Sequence, residues 1–382
     1  MFANIKYNNI RKKLIYKEIT MKKYSVGIIG LGRMGSTIDE EGHPSVILPY
    51  SIAAACKKSN KLELITGADL SQEKRNSFQK KWSVKSVYEN YITMIKEEAL
   101  DIIAISTKAD VHAEIGINVS NLNVPMIFLE KAIACSLKES DLLKSTCQKN
   151  KTIFNTGVMR RFDSIYNTVY KLINDQEIGD LQSIIHYAPT TLLHGHIHSI
   201  DTISFLNNDI KVKSIRGELS TSPATWGINK FSNNIDFKNN KLNTDPSATF
   251  QILFENGVKA WSIPVGKWGF EIIGTKGTIR TYENEREIIL RKADKSIEKI
   301  VKGKIFSPYK SQYISEIKPK SATQELLEDL IYAFENQQTT KSNIEHSCEI
   351  FEICMAIAES HQNNNSWINL PLNNRETYIL HI

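Results

Sequence analysis

The sequence predicts an α/β domain built on a parallel sheet, followed by an α+β domain with a mostly antiparallel sheet. In the first half, short apolar strand patterns alternate with helical patterns, which is typical of βαβ units. In the second half, strand patterns follow one another closely and are separated by tight turns, which indicates antiparallel pairing. The 382 residues are enough for two domains. We expect an extension over 1–22, a first domain over 23–158 and a second domain over 159–382.

Five apolar patterns form the predicted parallel sheet. Helical patterns lie between them, for example from Ala113 to Ser120 and from Leu137 to Gln148. Crossovers between such strands are right-handed. The predicted strands cover residues 24–30, 62–68, 100–106, 124–129 and 152–158.

The predicted second domain begins with a helix over 164–175. Asn256-Gly257 is a hairpin signal between two of its strands, and a second tight turn precedes Gly277. Segments rich in Asn and Lys are expected to be irregular. The predicted strands are 181–188, 211–219, 248–254, 258–264, 269–274, 277–282 and 286–292, the later helices are 322–335 and 343–360, and the irregular segments are 229–246 and 303–321.

Composition and charge argue against several classes of protein. Hydrophobic residues make up 41% and charged residues 24%, as in ordinary globular chains. No apolar run approaches the roughly 20 residues of a membrane-spanning helix. Residues 1–20 hold five basic residues against one acidic residue and so carry +4 of the net charge of +6. The rest is nearly balanced and lacks the basic stripe of a nucleic-acid-binding protein, so we expect neither a nucleic acid nor a membrane as partner.

The cysteines and the first twenty residues favour a reducing cytoplasm. The odd number of cysteines and the lack of a CxxC pair argue against disulfides and a zinc module. Residues 1–20 lack the apolar stretch of a secretory signal. Met21 is a plausible alternative start, and an arm that docks on a partner subunit is the other interpretation. The cysteines are Cys56, Cys135, Cys147, Cys348 and Cys354.

A GxGxxG pattern, Gly30-Leu31-Gly32-Arg33-Met34-Gly35, directly follows the first predicted strand. In such a turn the first glycine permits the tight bend, the second lets the backbone approach a pyrophosphate, and the third lets helix and strand pack closely. N–H groups at the start of the helix then bind the phosphates. After a strand, in a βαβ setting, the pattern predicts a dinucleotide-binding Rossmann domain. A glycine-rich turn without a ligand is the alternative.

Asp69 ends the second predicted strand, where an acidic residue binds the adenosine ribose of NAD. Its charge would repel the 2′-phosphate of NADP, although Lys74 and Arg75 weaken that preference for NAD. Asp69 lies farther from Gly35 than the usual spacing of about 20 residues. The segment 39–44, which contains Gly and Pro, accounts for the surplus as an inserted loop. Asp69 as a helix N-cap is the alternative.

Glu130-Lys131 ends the predicted strand 124–129. Ligands bind beyond the carboxyl ends of the strands in open α/β sheets. Lys131 could therefore hydrogen-bond a substrate hydroxyl and help to move its proton. A surface lysine beside a glutamate is the alternative.

Three histidines, His194, His196 and His198, lie within five residues. His198 is suited to be a general base near neutral pH. If a helix starts here, Asp201 lies on the same face and its carboxylate could orient the imidazole. A metal site and a purely structural cluster are the alternatives, and the spacing lacks the HExxH pattern of a zinc protease.

Taken together, these motifs resemble the Gfo/Idh/MocA oxidoreductase family from about residue 23 to 372. The resemblance implies NAD, with NADP possible, in the Rossmann domain. It also implies a second domain with an open, mostly antiparallel sheet that is often used for dimerisation. Members usually oxidise a hydroxyl of a sugar, polyol, sugar acid or nucleotide-sugar, or reduce the ketone. The matching segments are VGIIGLGRMG, AISTKADVHAEI, LEKAIA, GVMRRFDSIYNTVYKLINDQEIGDLQSI, GHIHSIDTISFL and FEIIGTKGTI.

By the same resemblance, Lys131 contacts the reacting hydroxyl, His198 is the acid/base, and Asp201 is its partner or a substrate ligand. Glu130 lies near the nicotinamide ribose, and Arg161 lies at the domain junction. No metal is implied. The implied cofactor set is Gly30, Gly32, Arg33, Met34, Gly35, Asp69, Ser106, Thr107, His112, Glu130 and Lys131, and the implied substrate set is Lys131, Arg161, His194, His198 and Asp201.

The sequence departs from the family pattern at several positions. Ala132 and Lys108 stand where prolines are usual, and the loop at 39–50 is longer. His194 replaces an Asp that often lies four residues before the catalytic His. A cationic cluster of histidines and Lys131 would suit an acidic sugar or a sugar phosphate. A dinucleotide-binding sensor without turnover and an NAD-dependent glycosidase stay open, as does a homodimer or homotetramer.

Overall fold

A computed structural model of the chain describes residues 22–42, 47–221, 235–282, 287–315 and 317–381. The predicted extension lies outside these residues apart from residue 22. His43 and Pro44 of the inserted loop also lie outside them, as do residues 229–234 of the predicted Asn- and Lys-rich segment 229–246.

The first sheet is parallel, as predicted, and its strands are ordered β3-β2-β1-β4-β5-β6. The order reverses between β1 and β4, which is the switch point where doubly wound sheets bind ligands. β3 was not predicted, because its three half-buried residues form no apolar run. The strands are β1 (Tyr24–Ile29), β2 (Leu62–Ala68), β3 (Ser86–Tyr88), β4 (Ile102–Ile105), β5 (Met126–Leu129) and β6 (Ile153–Thr156).

Helices join these strands. They cover both faces of the sheet, so the central strands are apolar on both sides and almost fully buried. The helices are α1 (Ile52–Lys58), α2 (Gln72–Trp82), α3 (Tyr91–Glu97), α4 (His112–Asn121) and α5 (Leu137–Asn150).

The second sheet is mixed and mostly antiparallel, which confirms the predicted fold class. Its order is β17-β14-β13-β12-β7-β11-β10-β8-β18, and only the β7–β11 pair among these neighbours is parallel in the described residues. The strands of this sheet are β7 (Leu181–Tyr187), β8 (Val212–Ser220), β10 (Ser247–Phe254), β11 (Lys259–Ile263), β12 (Gly269–Gly274), β13 (Gly277–Tyr282), β14 (Glu287–Ala293), β17 (Tyr309–Ile314) and β18 (Ile368–Asn369). Two further two-stranded sheets are formed by β9 (Lys241–Leu242) with β19 (Tyr378–Ile379) and by β15 (Lys299–Val301) with β16 (Lys304–Phe306).

The predicted hairpins at Asn256-Gly257 and before Gly277 are confirmed. The predicted irregular segment 303–321 is wrong over β16 and β17, whose exposed residues give little apolar alternation. β9 likewise lies within the segment 229–246 that was predicted to be irregular. The second half contains the helices α6 (Ser164–Asn174), α7 (Ile197–Leu206), α8 (Ala322–Asn336) and α9 (Ile344–Gln362).

Helices from the second half reach both sheets. α9 packs on β8, α7 and α5. α8 packs on the first sheet, where Leu326, Leu330 and Ile331 share a core with Val26 and Ile28. The boundary at residue 158 stays a prediction, and α8 contributes to the core of the first domain across it. Within the described residues, no helix combines the length and hydropathy needed to span a membrane.

Candidate active site

The glycine turn after β1 leaves open space at one of its three glycines. Gly30 has φ +91°, and a Cβ there would lie 2.7 Å from the carbonyl of Ser106. A Cβ at Gly35 would collide with the carbonyl oxygen of Gly30. At Gly32 the nearest atom to a Cβ would be Lys74 Nζ, 3.9 Å away. Packing therefore requires the outer two glycines, while the middle one faces room for a ligand.

The helix that is expected directly after this turn is interrupted, as the predicted inserted loop implies. Arg33–Thr37 form a π-helical turn that contains Met34 and Gly35, and Ile38–Glu41 form a 3₁₀ turn. α1 begins only at Ile52. Asp39 closes the gap by accepting hydrogen bonds from the N–H groups of Tyr50 and Ser51, at 2.8 and 2.7 Å.

Asp69 lies at the end of β2, beside the glycine turn. Its Oδ2 accepts a hydrogen bond from the N–H of Leu31 at 2.9 Å, so the carboxylate holds the turn directly. The N-cap of α2 is Ser71, which decides against Asp69 in that role. Lys74 Nζ is 3.9 Å from Asp69 Oδ2 and half exposed. Arg75 instead donates to the carbonyls of Asp69 and Leu70.

Ser106 and Thr107 follow β4 and face the same turn. Ser106 Oγ donates to the carbonyl of Gly30 at 2.7 Å. Thr107 is linked through its carbonyl oxygen to His112 Nε2 at 3.1 Å, and His112 Nδ1 is 2.7 Å from the carbonyl oxygen of Ala132. Burial lowers the pKa of His112 to about 4. The ring of His112 therefore lies between two loops, and its neutral form donates a hydrogen bond to one of these two carbonyls. Its contact with the cofactor stays a prediction.

Glu130 directly follows β5 and is buried, and its Oε1 has no hydrogen-bond partner among the residues that the structure describes. Burial raises its pKa to about 7, although the charge of Lys131 opposes the shift. A Cβ on Gly157 would lie 2.5 Å from Glu130 Oε2, so glycine is required there to make room for the carboxylate. Glu130 is therefore a carboxyl group that gains or loses its proton close to neutral pH, and it lies at the carboxyl end of the sheet.

Lys131 contacts His194. Its Nζ lies 3.2 Å from His194 Nδ1 and donates to the carbonyl oxygen of His194 at 3.1 Å. Burial lowers the pKa of Lys131 to about 8, against the opposing charges of Glu130 and Asp245. The interpretation of Lys131 as an ordinary surface lysine is therefore wrong. The peptide bond to Ala132 is cis.

Asp245 organises the histidine segment. It accepts hydrogen bonds from the hydroxyl of Thr191 at 2.7 Å and from the N–H groups of Leu193 and His194, both at 2.8 Å. This holds the π-helical turn Leu192–His196 that leads into α7. The charge of Lys131, followed by burial, lowers the pKa of His194 to about 4, so the imidazole is neutral at physiological pH.

His198 lies on the first turn of α7, and its Nδ1 is buried without a hydrogen-bond partner. Burial, together with the charges of Arg160 and Lys131, lowers its pKa well below the ordinary value. His196 lies in the core beside Ser199 and Ser262. These contacts favour the structural interpretation of His196. His198 is thus a neutral imidazole near Lys131.

The expected pairing of Asp201 with His198 is corrected. Asp201 Oδ1 accepts from Arg161 Nε at 2.9 Å and Nη2 at 2.7 Å, and it lies 2.8 Å from His346 Nε2. Although Asp201 shares a helix face with His198, a buried guanidinium offers its carboxylate a stronger partner. Arg161 also binds Asp209 and is 2% exposed, so its guanidinium lies in a buried ion-pair network. Its position near cofactor or substrate stays a prediction.

Asp245, His346 and His381 were missed by the sequence analysis. Asp245 lies in a polar stretch that looked like a surface loop, and the two histidines belong to no motif. Position 245 becomes significant only through the fold, since its partner His194 is 51 residues away. Among the described residues, no three or more His, Cys, Asp and Glu side chains are grouped as metal ligands would be.

Comparison with known proteins gives one family match. Residues 24–158 match the GFO_IDH_MocA model, described as "Oxidoreductase family, NAD-binding Rossmann fold". Inositol 2-dehydrogenase of Salmonella typhimurium is 22% identical over 196 residues, which is 48% of this chain and 54% of that protein. Glucose-6-phosphate 3-dehydrogenase of Bacillus subtilis is 25% identical over 228 residues, 54% of this chain and 59% of that protein. The matches thus span about half the length of these curated relatives.

Solved structures resemble the chain over most of its length. An aldose-aldose oxidoreductase from Caulobacter crescentus, complexed with glycerol, has a TM-score of 0.72 at 15% identity and covers 91% of this chain and 100% of that one. An oxidoreductase from Agrobacterium radiobacter, in complex with NAD+, L-tartaric acid and magnesium, has a TM-score of 0.67 at 13% identity, with 91% and 98% covered. At such identities the likeness shows the fold alone.

Proposed function

We propose that the chain, whose residues 24–158 match the Gfo/Idh/MocA family of oxidoreductases, is an NAD-dependent dehydrogenase of that family acting on a CH–OH group of a polyol or sugar. The observation that carries the proposal is Lys131, a partly buried lysine with its pKa lowered to about 8, just beyond the sheet that bears the glycine turn. A group of that pKa can exchange a hydroxyl proton near neutral pH.

The residues of the first sheet fit a dinucleotide. The open side of Gly32 leaves room for a pyrophosphate, and Asp69 lies where an adenosine ribose would bind. Glu130 Oε1, buried without a partner, offers an acceptor to a hydroxyl or amide at the other end. Arg33 and Met34 lie in the turn that follows Gly32, and Thr107 follows β4, so we propose that they contact the cofactor as well. When bound, NAD supplies the hydride acceptor for oxidation or, as NADH, the donor for reduction.

Lys131 would hold and move the substrate proton. An ammonium group has three N–H donors, and two of the contacts of Lys131 Nζ are to the ring and carbonyl of His194. The third N–H is left for a substrate hydroxyl, and the neutral amine can accept that hydroxyl's proton. His198 is the nearby second base that we propose for passing the proton on, and its imidazole is already neutral.

We propose a polyol or sugar as substrate because relatives named inositol 2-dehydrogenase and glucose-6-phosphate 3-dehydrogenase match about half of this chain. Lys131, His194 and His198 together provide the donors and acceptors that adjacent hydroxyls require. The positive charges of Arg160 and Lys131 both lower the pKa of His198, so both lie close enough to act on the site. For this reason an anionic sugar belongs among the substrates to be screened.

We also propose that the chain forms a homodimer through the outer face of the second sheet. Ile185, Trp261 and Ile273 lie on that face and are only partly covered, while Ile184, Ala260 and Ile272 beside them are fully buried. A row of half-exposed apolar side chains on a broad sheet marks an interaction surface. Light scattering of the wild type and Trp261→Asp tests this: the variant should be monomeric at concentrations where the wild type is dimeric.

The test of the proposed activity begins with nicotinamide fluorescence. Purified protein free of bound dinucleotide is titrated with NADH and with NADPH, and reduction of NAD is then followed with myo-inositol, scyllo-inositol, glucose and glucose 6-phosphate. We expect NADH binding and turnover of at least one of these, and loss of turnover without loss of NADH binding in Lys131→Met. Binding of neither dinucleotide, or turnover that survives in Lys131→Met, would contradict the proposal.

A further inference from the structure

The segment Arg375–His381 connects the two sides of the candidate site. On one side, the carbonyl of Arg375 accepts from the N–H of Lys138 at 3.0 Å, and the N–H of Ile379 donates to the carbonyl of Cys135 at 2.9 Å. On the other side, the N–H of Leu380 donates to the carbonyl of Leu242 at 2.9 Å. Cys135 and Lys138 follow Lys131 in the chain, and Leu242 precedes Asp245. The segment is therefore tied to both loops that carry the site.

His381, at the far end of this segment, reaches the histidine turn. Its Nδ1 is 3.4 Å from Asp245 Oδ2, and its side chain is only 9% exposed. Its ring centroid is 5.6 Å from that of His194, at an interplanar angle of 57°. The same carboxylate oxygen, Asp245 Oδ2, also binds the N–H of His194. Asp245 thus holds the backbone of His194 and the imidazole that packs against its ring.

This arrangement matters because the ring of His194 contacts Lys131 Nζ. The side chain of His194 is exposed, so contacts with neighbouring side chains must limit its rotamer. The ring of His381 lies at aromatic packing distance. Without it, His194 would be free to turn away, and Lys131 would lose one of its two contacts to that residue.

We propose that His381 is a positioning residue: anchored on Asp245, it confines the imidazole of His194 in the orientation that binds and directs Lys131. The proposal rests on the proposed function, in which Lys131 handles the substrate proton. The carboxylate of Asp245, acting through His381, thereby supports the side chain at position 194. The family pattern often has an aspartate at this position.

The first experiment needs no substrate. The C2 protons of the histidine rings are followed by NMR as a function of pH in the wild type, His381→Gln, His381→Phe and Glu376→Gln. Gln can keep the hydrogen bond to Asp245 but loses the ring, whereas Phe keeps a ring and loses the hydrogen bond. Glu376→Gln is the matched control, since it removes only the exposed ion pair with Lys138 in the same segment.

The charged groups that act on His194 are Lys131, His381 and Arg33, which lower its pKa, and Asp245, which raises it. In His381→Gln we expect the pKa of His194 to rise from about 4, because the contact with Lys131, whose charge is the main cause of the low value, loosens. The Phe variant should give a smaller rise, and the Glu376→Gln control none. An unchanged His194 titration in both His381 variants would overturn the proposal.

The second experiment uses the oxidation of whichever polyol the wild type turns over. We expect kcat to fall about tenfold in His381→Gln, as is usual when a reacting group is misplaced by a fraction of an ångström. Binding of NADH should change less than twofold, and Glu376→Gln should match the wild type. An equal kcat in wild type and His381→Gln would refute the positioning role. If the wild type turns over nothing, the proposed function fails, while the NMR titration still decides the contact between His381 and His194.

Discussion

Arg161 Nη2 and Asp201 Oδ1 lie 2.7 Å apart in a fully buried ion pair. The pair joins the turn Met159–Phe162, which follows β6 of the first sheet, to α7, which carries His198. His346 on α9 contacts the same carboxylate oxygen at 2.8 Å. Three segments therefore meet at Asp201, and these contacts set the position of α7.

We expect Arg161→Met to lower the free energy of unfolding by about 3–5 kcal/mol, because it leaves the buried charge of Asp201 without its main partner. Urea denaturation monitored by tryptophan fluorescence measures the change. Lys138→Met, which breaks the exposed pair with Glu376, should cost less than about 1 kcal/mol. A small loss of stability in Arg161→Met, together with a large loss of substrate affinity, would contradict this expectation. It would support the ligand role that the sequence suggested for Arg161.

Local sequence patterns were sufficient for five of the six strands of the first sheet, β3 being the exception. Its central strands are apolar on both faces, and the glycine turn, Asp69 and Lys131 each lie at the carboxyl end of a strand, where position alone predicts function. The pairing of Asp201 was not predictable in this way. Helical spacing placed it beside His198 correctly, but its choice of Arg161 depends on a residue 40 positions away.

The second sheet shows both what local sequence patterns can predict and what they cannot. Its hairpins were predicted because Asn-Gly and Gly turns are local signals. Asp245 and His381 carry no such signal, because their significance comes from the packing of two segments distant in sequence. A polar loop residue and an isolated histidine look alike in a sequence whether or not they contact an active site.

The rate of polyol oxidation should rise with pH and level off above about 8 as Lys131 loses its proton. His198 should give no inflection between pH 6 and 9, because its pKa lies well below the ordinary value. A profile of kcat/KM against pH measures this. In Glu130→Gln the inflection should move to lower pH, since the carboxylate of Glu130 raises the pKa of Lys131. An inflection that stays in place would assign it to another group.

Lys74 is the residue that we expect to admit NADPH. It is half exposed, 3.9 Å from Asp69, and close to the open side of Gly32. Lys74→Ala should weaken NADPH binding about tenfold, the loss expected for one charge-assisted contact to a phosphate, and leave NADH binding within about twofold. Fluorescence titration measures both. Lys80→Ala, on the same helix, is the control, and an equal effect of the two substitutions would indicate only a general charge effect.

Glu130 should make the protein less stable as the pH rises. Its folded pKa, about 7, lies above the ordinary 4.5, so the folded state holds the proton more tightly than the unfolded state. The resulting stabilisation is fully present below pH 4.5 and is lost as the pH rises through 7. Glu130→Gln, which stays neutral, should therefore exceed the wild type at pH 8 by roughly 2–3 kcal/mol in free energy of unfolding.

Urea denaturation at pH 5 and pH 8 measures this difference. Glu114→Gln, which replaces an exposed carboxylate on α4, is the control and should change the two values equally. If Glu130→Gln and the wild type lose stability in parallel between these pH values, the carboxylate is ionised throughout. Glu130 would then be a charged partner of Lys131 in the folded protein. The unsatisfied Oε1 would then be balanced by that neighbouring charge and not by a bound proton.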